Sequence, residues 1–128
     1  MRDIKFRCYV KFLCEMHEVK EVNLGNGTIM IEIYPYGLDI DGAPVMQYTG
    51  IKDKNGVDIY EGDIVEGVCL GYCDEDEFKD YVEFSNGSFC FSGEKWKDGT
   101  YDWHTLENYD SGDLLVVGNI YQDKHLLT

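Results

Sequence analysis

The sequence lacks a long hydrophobic run. Its longest aliphatic stretch, Leu114 to Val117, falls far short of the roughly 20 residues that cross a bilayer. Met1-Arg2-Asp3-Ile4-Lys5 is not followed by the apolar segment of a signal peptide, so the cytoplasm is the expected compartment and no membrane partner is expected. Cations are scarce: 11 Lys+Arg stand against 25 Asp+Glu, a net charge of -14. Affinity for phosphates comes from clustered cations, so bare nucleic acid and anionic lipid are excluded as main partners. Five cysteines (Cys8, Cys14, Cys69, Cys73, Cys90) form an odd set without regular spacing, which argues against a disulfide framework. Helical spacing is also missing, since no stretch of ten or more residues carries it. What is present is 44% apolar and 14% aromatic residues in a chain of 128, enough for a core and of a length suited to a single domain.

The periodicity that exists is that of strands. Ile4, Phe6, Cys8, Val10 and Phe12 alternate with Lys5, Arg7, Tyr9 and Lys11, the pattern of a half-buried strand. With Arg2 and Asp3 this segment carries +3 over residues 1–11, leaving 7 cations against 24 acids, or -17, on the rest. Its basic face is expected to meet carboxylates of the same fold or of a neighbouring subunit. Asn26-Gly27, Asn55-Gly56 and Asn86-Gly87 predict tight turns, because Asn-Gly supplies positive φ angles. Hairpins follow over residues 19–34 and 81–91, with 36–44 as a connector and strands at 45–49, 64–68 and 114–121. Gly118 inside the last strand marks a bulge or bend. Asp74-Glu75-Asp76-Glu77, with Asp80 behind, reads as a solvated loop, and Thr105 to Tyr109 as one helical turn. The class is all-β, and closely spaced turns favour a small barrel.

Three blocks then stand out in order: Arg2-Asp3-Ile4-Lys5-Phe6-Arg7; Met46-Gln47-Tyr48-Thr49-Gly50-Ile51-Lys52-Asp53-Lys54-Asn55-Gly56 running into Ile59-Tyr60-Glu61-Gly62-Asp63-Ile64-Val65; and Val117-Gly118-Asn119-Ile120-Tyr121. Together they resemble the YopX-like family of bacteriophage and prophage proteins. Cys8-Tyr9 stands where that family often has Ala-Trp, and residues 69–80 and 93–113 carry no family pattern. The resemblance implies one YopX-like domain over 1–128: an N-terminal β segment, 1–44, added to an SH3-like barrel, 45–128. It implies no established activity. Asn55, Gly56, Gly62, Asp63, Gly118 and Asn119 suit architecture, with Glu61 and Asp63 capping the Gly62 corner. Tyr48, Lys52, Tyr60 and Glu61, expected to be exposed, are the candidate binding groove.

Other chemistries find weaker support. Asp53, Asn55, Asp58 and Glu61 supply oxygens, but Gly56 comes fourth where an EF-hand needs it sixth. Cys69 and Cys73 have a zinc-like spacing that His17 or His104 would have to complete, without a second ligand pair. Ser85, Ser88, Ser92 and Ser111 lie in turns and polar segments without a nucleophile elbow. No metal, cofactor or catalytic residue is therefore assigned. Phe6, Phe12, Phe84, Phe89 and Phe91 read as core, while Tyr36, Tyr72, Tyr101 and Tyr109, if exposed, would mark a protein partner. The expected function is a non-enzymatic interaction or self-assembly module, a homo-oligomer or the partner of a host or phage protein. The alternatives are an acidic decoy that imitates DNA and a small metal-dependent hydrolase.

Overall fold

In a computed structural model, residues 4–23, 28–33, 36–41, 44–68, 77–85, 87–91, 105–106, 109 and 111–127 are described. The chain divides into two compact units, Met1–Tyr48 and Thr49–Thr128. Among the described residues all regular structure is strand or short 3-10 turn, and no helix is long and apolar enough to cross a membrane. The protein is all-β.

The first unit is an antiparallel sheet of β1 (Phe6–Val10), β2 (Glu15–Asn23), β3 (Thr28–Ile33), β4 (Tyr36–Asp41) and the start of β5 (Val45–Lys52), in the order β4-β3-β2-β1-β5. Asn23 pairs with Thr28, so β2 and β3 form the expected hairpin; its Asn26-Gly27 tip lies outside the described residues. The expected connector at 36–44 is corrected: Tyr36–Asp41 pairs with β3 along its whole length, from Ile33↔Tyr36 to Thr28↔Asp41. Pairing explains this, because the open edge of β3 offers the backbone groups of Tyr36–Asp41 hydrogen-bond partners along the whole segment.

The alternation read across Ile4–Phe12 is also longer than the strand. β1 ends at Val10, and Lys11–Cys14 turns the chain, with Cys14 at φ +54°. Cys8 and Val10 are buried, but Ile4 is 77% and Phe12 71% exposed. On the basic face, Arg7 stands opposite Glu18 in the β1–β2 register, and the Lys5 ammonium lies 4.7 Å from the centre of the Tyr48 ring, a cation–π geometry.

The second unit takes the end of β5 with β6 (Asp58–Tyr60), and a four-stranded sheet of β7 (Asp63–Val68), β8 (Glu77–Ser85), β9 (Ser88–Phe91) and β10 (Leu115–Asn119), ordered β10-β7-β8-β9. The β8–β9 hairpin matches its expectation, Ser85 opposing Ser88. So does the irregularity in β10, whose register shifts between Val116 and Gly118. Residues 74–76 of the acidic stretch lie outside the described residues, but Glu77 opens β8 and Asp80 is buried within it.

The core gathers Ile59, Val65, Phe78, Val82, Phe89, Phe91, Leu106, Tyr109 and Leu114. Three of its rings meet edge to face or tilted: Phe78 to Phe91 at 4.8 Å, Phe91 to Tyr109 at 5.3 Å and Phe78 to Tyr109 at 5.5 Å. Such pairs add about 0.5–1.5 kcal/mol each beyond area burial. Tyr109 is thus a core residue, not an exposed partner mark; Tyr72 and Tyr101 lie outside the described residues, and Tyr36 is described only as part of β4. Phe84 and Phe12 leave the expected core set, Phe84 being 55% exposed with its ring 5.1 Å from that of buried Phe89. The reasons differ: Phe12 lies in the turn beyond the end of β1, whereas Phe84 is in β8 at a side-chain position that stays open to solvent.

Candidate functional site

The architectural residues of the second unit form a polar knot, and Asp53 is its centre. One carboxylate oxygen accepts N–H bonds from Asn55 (2.8 Å) and Val57 (2.9 Å), and the other accepts one from Val116 (3.0 Å). Gly56, at φ +80°, completes the turn by donating its N–H to the Asp53 carbonyl at 3.0 Å. Asp53 is only 4% exposed. Burial opposes its charge, but the N–H donors of Val116, Val57 and Asn55, joined by the Lys54 ammonium, outweigh that and hold the carboxyl below its ordinary value.

Gly62 (φ +83°) turns the corner before β7. Its N–H goes to the Val82 carbonyl and its carbonyl takes the Ile120 N–H, each at 2.8 Å, while the buried Asp63 carboxylate accepts the Tyr60 N–H at 2.8 Å. Asn119 closes the third side, its side-chain oxygen accepting N–H bonds from Tyr121 and Gln122 at 3.0 Å. Asp123 accepts the Asn119 N–H at 3.1 Å, and a Cβ on Gly118 would come within 2.7 Å of the Asp123 side chain. Asn55, Gly56, Gly62, Asp63, Gly118 and Asn119 therefore all sit in one hydrogen-bonded framework of the second unit. Asp53 and Asp123, which complete it, were not assigned to it from sequence. An Asp two residues before Asn-Gly was the available signal for the first; the contact from Asp53 to Val116, 63 residues away, had none.

This framework also limits the chemistry. Both Asp53 oxygens face N–H groups, an arrangement that repels a cation, and among the described residues no cluster of three metal-ligating side chains forms. Cys69, Cys73 and His104 lie outside the described residues; His17 stands 2.7 Å from Glu15 in the first unit. Burial pushes the Cys8 thiol up, and burial, then the charges of Glu83 and Asp80, push up that of Cys90, which leaves less thiolate for nucleophilic attack.

The four residues expected to line a groove differ in exposure. Tyr48 belongs to the first unit and is 4% exposed, not exposed as anticipated, with its N–H donated to the Lys5 carbonyl at 2.9 Å. Lys52, exposed, holds Asp58 at 2.6 Å, and Tyr60 and Glu61 are half-buried. Among the described residues the second unit has a concave feature that none of these four lines. It is a cleft of about 450 Å³ lined by Lys54, Glu66, Gly67, Phe78, Lys79, Asp113 and Leu115, within the size range of small-molecule sites. Sequence patterning missed it because its residues come from four separate stretches.

Residues 5–128 match a family model described as YopX protein. The structure is similar to the crystal structure of protein EF1440 from Enterococcus faecalis, with a TM-score of 0.62 and 24% identity over 100% of each chain, a likeness of fold. No curated protein matches the chain.

Proposed function

The chain belongs to the YopX family, and from that premise we propose that it is a non-enzymatic interaction module of a phage or prophage, working in the bacterial cytoplasm. It self-associates or binds a host or phage protein. The observation that carries this reading is the exposure of large apolar side chains around the two ends of β1: Ile4 at 77% and Phe12 at 71%. Leaving such groups in water forgoes about 1.5–3 kcal/mol each of burial energy, a gain that a second surface can recover.

Light scattering of the full chain, beside an Ile4→Ser/Phe12→Ser variant, tests the proposal. A wild-type oligomer that dissociates in the variant is the expected result. Alternatively, a host protein is captured by the wild type and lost by the variant. A wild type that stays monomeric at its highest soluble concentration and captures no protein from an infected-host lysate overturns it.

A further inference from the structure

The cleft of the second unit combines an apolar bed with charges of both signs. Glu66 on β7 is flanked in register by Leu115 on β10 and Lys79 on β8, and the Lys79 ammonium stands 3.6 Å from the Glu66 carboxylate. Those two charges largely neutralise each other. Lys54 and Asp113 are the other two charges of the cleft; among the described residues no ion pair within 4.0 Å takes up either one, and Lys54 acts on Asp53 only as a nearby charge. The backbone brings the two stretches together, because the Lys54 N–H is donated to the carbonyl of Leu114, the residue after Asp113, at 2.9 Å.

A Cβ on Gly67 would come within 2.8 Å of the Phe78 ring and 3.1 Å of Leu114, so the absent side chain is what lets the ring lie against β7. Phe78 and Leu115 then supply the apolar lining. The location sharpens the point: residues 49–128 hold six cations against 18 acids, and two of those six, Lys54 and Lys79, line this one cleft.

We propose that the cleft binds a small zwitterion of dipeptide size. The ligand's carboxylate meets Lys54, its ammonium meets Asp113, and an aliphatic side chain lies on Leu115 and Phe78. A ligand with one charge forgoes one of the two attractions that the cleft offers, because Lys54 and Asp113 carry opposite charges.

The test uses the full chain, ¹⁵N-labelled and titrated by NMR with three probes: glycyl-leucine, its N-acetyl derivative, which lacks the ammonium, and glycyl-leucinamide, which lacks the carboxylate. Glycyl-leucine is expected to shift the amides of Gly67, Lys79, Asp113 and Leu115 and to bind more tightly than either derivative by about tenfold. Lys54→Met should weaken glycyl-leucine and the acetylated probe while sparing the amide; Asp113→Asn should weaken glycyl-leucine and the amide while sparing the acetylated probe. Both side chains are exposed, and each spectrum reports whether its variant is folded. Equal binding of all three probes, equal losses for all probes in both variants, or no shift in the cleft up to the solubility of glycyl-leucine overturns the proposal. Oligomeric state is read separately, so the interaction module stands or falls independently.

Discussion

At the residue scale, one carboxylate ties a turn to a strand 63 residues away. Asp53 gathers N–H groups from its own turn and from β10, so a neutral isostere has to turn an amide donor toward one of them. Asp53→Asn is expected to lower unfolding free energy by about 2–3 kcal/mol in urea melts. The pH dependence has a definite sign. A carboxyl held below its ordinary value in the folded state stabilises the fold above the unfolded-state value and loses that contribution as pH falls through the folded-state value. Melts at descending pH should therefore show an acid limb that is flattened in Asp53→Asn. Gly56 gives the complementary case. No atom lies within 4 Å of the Cβ it would carry, yet φ is +80°, so Gly56→Ala costs only backbone strain, about 1–2 kcal/mol. Gly56→Asn, which tolerates this conformation, should recover part of that loss in the same melts.

At the element scale, the β8–β9 hairpin separates two phenylalanines that look equivalent in sequence. Phe91 packs between Phe78 and Tyr109; Phe84 touches Phe89 but stays 55% exposed. Phe91→Ala is expected to cost about 3–5 kcal/mol, and Phe84→Ser less than about 1 kcal/mol, a contrast that thermal melts resolve. Hairpins were legible because their signals are local: Asn-Gly turns and flanking β-branched or aromatic residues place β2–β3 and β8–β9 at their turn ends, while β2 and β8 each begin four residues before the expected hairpin, at Glu15 and Glu77. β4 was not legible. Tyr36-Gly37-Leu38-Asp39-Ile40-Asp41 has two acids and a glycine, and it is a strand because β3 offers an open edge along which it pairs. The cleft was hidden for the same reason, since register across β10, β7 and β8 brings Leu115, Glu66 and Lys79 into one row.

At the scale of the molecule, charge is unevenly shared: the first unit has five cations against seven acids, the second six against 18. Self-repulsion on that scale weakens the compact state and is screened by salt. Adding sodium chloride should therefore raise the melting temperature of the second unit's transition by a few degrees, measurable by calorimetry; a fall would show that its carboxylates are held mainly by attractive pairs. What the sequence by itself determined was the all-β class, the hairpin turns, the acidity and the architectural role suited to Asn55, Gly62 and Asn119, because each follows from composition or from contacts a few residues long. The tertiary structure alone decided that Phe12 and Phe84 face water, that Tyr48 and Tyr109 do not, and that Asp53 reaches Val116. Burial and long-range hydrogen bonds depend on which strands become neighbours, and period-two patterning leaves that choice open.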